Sequence, residues 1–505
     1  MTDLAAFWLL LGLLLLAVGL GQGLRAYARW TPASARRAVH VGAGLATAFC
    51  APLFRQPDGL YLVAGLIGVA SVAGNALAAT RRWRAGGRGP DRPDREAGSF
   101  ALALGVAVGL CGPPDASRGF ALQIAFGVLA LAAPAASWVR ERRAAPDATD
   151  ASGGGTLAAG ALAFGVVAGA ATALGLVWLR PTWGPLAVGA AALSVATVGA
   201  AAEALGRTGW GALWIVLAAV VPLAHLDGAG AGDAVAIAHL AGVGLAAGFG
   251  VAAYRARSLD RSGALAASVL AWMVVALGGL AWAVPALTFF VLSSALSRLG
   301  RRRKAEAEAL AEKGSRRDAG QVVANGGVGA VLLAAGVFVE SPLLYWGFVG
   351  AFAAAAADTW GTEVGTWRRG PTRVLAFGPR VPSGTSGGMS LAGTLGAALG
   401  ASVVVASAVL AGAGLSAAGL GLVAAGGLAA AFLDSLLGAT VQARYLDPAG
   451  RLTERAASAT PTGERVVHAR VRGWAWVGND AVNLACTAFG GLLPLIGLGP
   501  LVGPA

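Results

Sequence analysis

Apolar runs of about 17–25 residues recur along the whole chain, separated by short polar connections. A helix needs a run of that length to cross a bilayer, and lipid admits only helices and closed barrels because backbone polar groups must be satisfied internally. Hydropathy predicts about sixteen helices, near 4–22, 38–54, 60–80, 97–112, 119–138, 156–179, 185–204, 211–226, 233–253, 263–280, 282–296, 320–339, 343–366, 387–412, 416–440 and 473–497. The expected fold class is all-α, a polytopic integral membrane protein of about sixteen transmembrane helices. Two fused helical domains, 1–255 and 256–505, are expected to join near Tyr254–Ser262. The first run, Leu4–Leu20, has no basic residue before it, which predicts a retained helix rather than a cleavable signal peptide.

Basic residues gather in alternate connections: Arg81/Arg82/Arg84/Arg88, Arg140/Arg142/Arg143, Arg255/Arg257/Arg261, Arg301–Lys304, Arg368/Arg369/Arg373/Arg380 and Arg444/Arg451/Arg455. The intervening connections, such as Asp227–Asp233, carry almost none. This asymmetry marks the basic loops as cytoplasmic; the expected location is the cell inner (plasma) membrane, with the candidate site facing the cytoplasm. Segment 298–317, with Glu306, Glu308, Glu312 and interspersed bases, is expected to form a helical cytoplasmic arm. The 505 residues are 56% hydrophobic and 12% charged, against about 25% charged for a soluble protein. The net charge of +13 is explained by the topology signals, so no nucleic-acid partner is expected. Cys50, Cys111 and Cys486 have no metal-type spacing and read as small core residues. Ala/Gly tracts such as Gly421–Ala431 predict close helix packing through small residues.

Four polar clusters interrupt the apolar helices of the second half. They are Asp358–Glu363, Pro382–Gly388, Asp434–Gly438 with Gln442, and Asn479–Asp480 with Asn483. Carboxylates and amides within membrane helices usually mark a functional path or site. Residues four apart share a helix face, which pairs Gln321 with Asn325, Thr359 with Glu363, Asp434 with Gly438 and Gln442, and Asn479 with Asn483. All fall in the cytoplasmic third of their helices, so they are expected to converge on one cavity open to that side. Asp358, Asp434 and Asp480, with Glu363 as a fourth acid, could hold Mg²⁺ through a few carboxylates and waters. Ser383, Gly384, Thr385, Ser386, Gly387 and Gly388 could wrap phosphate oxygens with backbone N–H and hydroxyl groups. Arg317, Lys313 and Arg380 are nearby cations in the sequence. The bland readings are that the amide pairs are interhelical hydrogen-bond glue, that 382–388 is an ordinary loop and that the acids form a structural network. No Walker A sequence, HExxH or nucleophile elbow is present.

These runs carry a resemblance. Arg317–Gly327, Ala357–Gly365, Pro382–Gly388 and Asp434–Gln442, with Ser262-Gly263 and Asn479–Asn483, resemble in order the membrane family of phytyl-phosphate kinase and transmembrane protein 19, also called domain of unknown function 92. The resemblance covers roughly 255–505. It implies a kinase that adds a second phosphate to an isoprenyl monophosphate. The nucleoside triphosphate, with CTP as a candidate, and the isoprenyl phosphate lipid are the implied partners, and Mg²⁺ the implied cofactor.

The N-terminal half resembles phytol and dolichol kinases more weakly. Arg36, Arg37 and His40 are similar to an Arg-Lys-x-x-His start. Ala133 stands where that family has an Asp, Ala159 where it has a Glu, and Trp210-Gly211 where Asp-Asn follows the retained Glu203. The resemblance therefore implies a degraded alcohol-kinase domain, since Mg²⁺ needs carboxylates.

The expected function is phosphoryl transfer. Asp358, Glu363, Asp434 and Asp480 are the catalytic acids, the first, third and fourth of them metal ligands. Arg317, Gln321, Asn325, Arg380, Ser383–Gly388, Gln442, Asn479 and Asn483 bind substrate. The rival readings are a transporter or flippase of an isoprenyl phosphate and a non-catalytic membrane scaffold. The first lacks an inverted repeat and has its polar residues biased to one face. The intact acids count against the second.

Overall fold

Helices take up most of the chain because long apolar stretches are closed by strong N-caps. Thr31 accepts from Ser34 N–H with Pro32 at the first helical position, and Asp260 and Ser390 accept from the third residue on. Asp318 and Gln321 form a reciprocal capping box. The computed structural model describes residues 1–28, 30–84, 96–112, 118–143, 154–206, 210–299, 316–368, 370–375, 378–459 and 465–498. The expected arm at 298–317 falls mostly outside these, as do Lys313, Arg88, Arg301–Lys304 and Arg369.

The chain divides into two compact units, Met1–Val243 and Gly244–Ala505. The first holds helices α1 (Asp3–Tyr27), α2 (Pro32–Cys50), α3 (Asp58–Arg84), α4 (Glu96–Cys111), α5 (Gly119–Arg143), α6 (Gly154–Leu179), α7 (Pro185–Leu205), α8 (Gly211–Gly228) and the start of α9 (Asp233–Arg255). In it, α5 packs against α2, α6 and α8. A Cβ on Gly44 would lie 2.7 Å from that of Ala130, so small residues set the α2–α5 spacing.

The second unit continues with α10 (Arg261–Met273), a π-helical stretch Val274–Gly278, α11 (Gly279–Arg298), α12 (Ala319–Ala335) and α13 (Pro342–Arg368). Then come α14 (Leu391–Leu410), α15 (Ala417–Thr440) and α16 (Asn479–Gly497). Helix α13 is central and touches α11, α12, α14, α15 and α16. Trp346–Ala357 is buried without interruption. The surrounding helices approach through glycine: a Cβ on Gly350 would meet Gly490 O at 2.2 Å, and one on Gly400 would meet Ala356 O at 2.8 Å. A helix enclosed on every side needs no lipid-facing stripe. It can therefore carry Asp358–Glu363 where it emerges from the close-packed layer.

Short strands decorate the connections of this unit. β1 (Arg373–Val374) pairs antiparallel with β2 (Gly388–Met389). Between α15 and α16, β3 (Arg444–Leu446) lies between β4 (Leu452–Thr453) and β7 (Ala469–Arg472), and β5 (Ala457–Ala459) pairs with β6 (Arg465–Val467). The all-α membrane class holds. Among the described residues, ten helical elements are long and apolar enough to cross a membrane, with α10 through α11 counted as one continuous stretch, Arg261–Arg298. Asp58–Ala73, Ala97–Cys111 and Ala319–Ala335 are apolar but shorter. The expected sixteen crossings are thus not reached on length and apolarity.

Candidate active site

A cavity of about 350 Å³ opens in the C-terminal unit where α13, α14 and α15 leave the packed layer. From α13 come Asp358, Thr359, Thr362 and Glu363; from α15 come Asp434 and Ser435, with Gln442 just beyond its end. Arg317 and Gln321 enter from the start of α12, Asn479 from the first turn of α16, and Ser383–Gly388 form one wall. The same-face pairing of Asp358, Thr359, Thr362 and Glu363 is realised because α13 is a regular helix here. Asp358 and Glu454 are the charges that act most strongly on Asp434, and Glu363 and Asp358 those that act most strongly on Arg317. Burial lowers the affinity of the Arg317 guanidinium for its proton, and those two carboxylates oppose the shift.

The wall Pro382–Gly388 is built by two consecutive turns. Thr385 N–H donates to Pro382 O at 3.2 Å and Gly388 N–H to Thr385 O at 2.8 Å. The third residue of each turn is a glycine at positive φ, Gly384 at +86° and Gly387 at +80°. Only glycine takes that position readily. A Cβ on Gly387 would also fall 2.6 Å from that of Ala439, so the loop lies flat on the end of α15. Ser383 Oγ donates to Gly365 O at 3.4 Å. Among the described residues, no hydrogen bond uses the N–H of Gly384, Ser386 or Gly387. Three backbone donors on a cavity wall suit an oxyanion.

Not every expected residue joins this cavity. Asp480, Asn483 and Arg380 are absent from its lining, and Arg380 is exposed. Asp480 points from the helix position after Asn479, which explains the split: adjacent helical residues are about 100° apart. Asn325 sits one turn deeper than Gln321 and lines a second, apolar pocket of about 290 Å³. That pocket lies among α9, α10, α11 and α12, with Phe249, Leu270, Phe289 and Phe352 on its walls. Arg317 and Gln321 belong to both pockets. Among the described residues, no group of three or more His, Cys, Asp or Glu side chains is gathered closely enough to hold a metal ion by itself.

Several contributors were not foreseen. Ser297 Oγ donates to Glu363 Oε1 at 2.5 Å, and Trp360 Nε1 donates to Ser293 Oγ at 3.1 Å. The spacing of Ser293 and Ser297, four residues apart on α11, was the available signal. Glu454 lines the cavity and accepts from Ser386 Oγ. It comes from the β-rich α15–α16 connection, where Arg444 and Arg455 read only as topology signals. Arg444 Nη2 donates to Ser386 O at 3.2 Å and lies 3.9 Å from Glu454 Oε1. Burial lowers the Arg444 pKa, Glu454 opposes this, and Arg472 adds to it.

In the N-terminal unit, Glu203 Oε1 accepts from Arg140, whose side chain lies against Gly160, and Arg37 pairs with Glu141. The retained acid of the degraded-kinase resemblance is thus engaged in an ion pair.

Residues 244–491, within the C-terminal unit, are similar to the family described as Integral membrane protein DUF92, and the chain is a multi-pass integral membrane protein. Protein PGR of Arabidopsis thaliana is 28% identical over 218 residues, covering 37% of this chain and 74% of that protein. An uncharacterized membrane protein of Methanocaldococcus jannaschii is 28% identical over 150 residues, 30% of this chain and 61% of its own length. One from Synechocystis is 33% identical over 164 residues, 32% of this chain and 62% of its own. The chain thus spans about three fifths of the length of the last two. No solved structure matches the chain.

Proposed function

We propose that the C-terminal unit transfers a phosphoryl group from a nucleoside triphosphate to an isoprenyl monophosphate, giving the diphosphate. The observation that carries this reading is the junction of the two pockets. A cavity with acids and a glycine-rich donor loop meets an apolar pocket, and Arg317 and Gln321 stand at the boundary. An amphiphile with a phosphate head and a hydrocarbon tail has that division of chemistry.

In this reading the tail enters between α10, α11 and α12, and Arg317 and Gln321 bind the acceptor phosphate where it leaves the apolar wall. The Ser383–Gly388 loop holds the triphosphate with its free N–H groups and hydroxyls. The acceptor is already an anion near neutral pH, so no general base has to remove a proton from it. An acceptor oxygen forms the new bond to the γ-phosphorus as the bond to the β–γ bridging oxygen breaks, and the nucleoside diphosphate leaves. Positioning and charge neutralisation are then the main catalytic demands. Mg²⁺ commonly uses one or two carboxylates together with phosphate oxygens and waters, a demand that Asp358 and Asp434 meet without a third acid. When bound there it would supply neutralisation of the phosphate oxygens. Asp480 is not part of that set. In this reading the cavity mouth faces the cytoplasm, the side to which basic connections are biased. The N-terminal unit, with Glu203 tied to Arg140, has no catalytic part in this scheme.

The test is incubation of the purified full-length chain with labelled CTP or ATP and a panel of prenyl phosphates and free prenols. Label transfer to a prenyl phosphate but not to a free prenol is expected. Transfer only to free prenols, or hydrolysis without transfer, would refute the reading.

A further inference from the structure

The α15–α16 connection lies outside the membrane helices, yet it delivers a buried cation to the loop wall of the cavity. The Arg444 side chain is 8% exposed, and its described partners are one carbonyl, Ser386 O at 3.2 Å, and one distant carboxylate, Glu454 at 3.9 Å. Its Nε is buried and has no hydrogen-bond partner among the described residues. A buried guanidinium offers five donors and is costly to leave under-satisfied. Gln442, 2% exposed and lining the cavity, has an amide nitrogen in the same condition. Arg472 Nη2, donating to Gly438 O at 3.1 Å, adds a second positive charge nearby. The nearest anion is Glu454, which accepts from the Ser386 hydroxyl and lines the same cavity as Asp434. Two carboxylates on one cavity repel each other, which favours exchange of one of them for a ligand that brings its own cation.

We propose that Arg444, Ser386 and Gln442 form a phosphate-oxyanion subsite, and that Glu454 is an internal anion that an incoming phosphate displaces. The subsite rests on the phosphoryl-transfer reading of the same cavity. Arg444 is not itself in the cavity lining but stands behind Ser386 and Glu454, so its guanidinium is reached where Glu454 now lies. A phosphate oxygen takes over the Ser386 hydroxyl and meets the unpaired donors of Arg444 and Gln442. No bond is made or broken in this exchange. A phosphate carries more charge and more acceptor oxygens than a carboxylate, so it satisfies this donor set better.

The experiment is calorimetric titration of the full chain in detergent with tripolyphosphate and Mg²⁺, which needs no lipid acceptor. Glu454→Gln keeps the size and an acceptor for Ser386 but removes the competing charge, so affinity should rise about tenfold. Arg444→Met should lower it about tenfold or more, and Arg444→Lys, which keeps the charge but not the fork, should fall between. Should Arg444→Met fail to fold in a thermal melt, Glu454→Gln and Arg444→Lys decide the matter. Weaker or unchanged binding in Glu454→Gln overturns the proposal while leaving phosphoryl transfer standing. Binding that follows these expectations in a protein without kinase activity upholds the subsite and removes the kinase reading. Absence of binding in both wild type and Glu454→Gln overturns both.

Discussion

Replacing Asp358 by asparagine separates the catalytic reading of the acid cluster from a structural one. The amide keeps the shape of the side chain and removes the charge that would attract Mg²⁺. If the carboxylate contacts the metal, activity should fall by about a thousandfold, which corresponds to about 4 kcal/mol of lost transition-state stabilisation. The effect on folding should be much smaller, for a reason visible in the cavity. Arg317 lies near both Glu363 and Asp358, so the guanidinium keeps one carboxylate when the other is neutralised. The substitution also relieves the repulsion between Asp358 and Asp434. A stability change of about 1 kcal/mol or less is expected, against the about 3–5 kcal/mol typical when a buried charge loses its only partner. Arg317→Met should show that larger loss. Asp434→Asn should match Asp358→Asn in activity, and the double variant should be little worse than either, as for groups that act together. The assay is prenyl-phosphate kinase activity across a Mg²⁺ titration, with thermal stability in detergent measured in parallel. Wild-type activity in Asp358→Asn would exclude the residue from the site, and a large drop in thermal stability would support the structural network instead.

The loop wall, its neighbours and the N-terminal unit give four further expectations. Gly387→Ala forces an L side chain to φ +80° with its Cβ 2.6 Å from Ala439 Cβ, so a loss of about 1–2 kcal/mol from the backbone alone and a large rise in KM for the nucleotide should follow. Unchanged KM would remove the loop from the nucleotide site. Ser297→Ala takes away the hydroxyl that donates to Glu363 and should cost about 1–3 kcal/mol in thermal stability; a neutral result would mean that water replaces it. Gly326→Leu should fill the apolar pocket, which Gly326 lines beside Leu270 and Phe352, and shift preference from geranylgeranyl to geranyl phosphate by about tenfold in kcat/KM. Equal effects on both chain lengths would place the tail elsewhere. Glu203→Gln in the full chain should leave kinase activity unchanged, because its carboxylate serves Arg140; a loss of turnover would restore the N-terminal unit to the chemistry.

By itself, the sequence determined that this is a helical membrane protein and where most of its helices run, and it singled out Asp358, Glu363, Asp434 and the Ser383–Gly388 loop, which the fold brings to one cavity. These are local properties. Apolar length, helix period and the intolerance of lipid for unpaired charge are written in consecutive residues. The glycines of the loop were legible for the same reason, since a turn with positive φ is specified within four residues. Only the tertiary structure decided which polar residues meet. Asp480 and Asn479 are adjacent in sequence, yet only Asn479 reaches the cavity, because helix rotation and the packing of α16 on α13 set the facing side. Ser297 lies 66 residues from Glu363, and Glu454 lies 68 from Ser386; no periodicity links such pairs. The adjacency of an apolar pocket and a polar cavity through Arg317 and Gln321 was likewise invisible, because it depends on how α10, α11 and α12 splay around one helix start. Arg444 shows the reason most plainly. In the sequence it is one more base in a loop, and its meaning arises only when β3 folds its side chain beneath Ser386 and away from water.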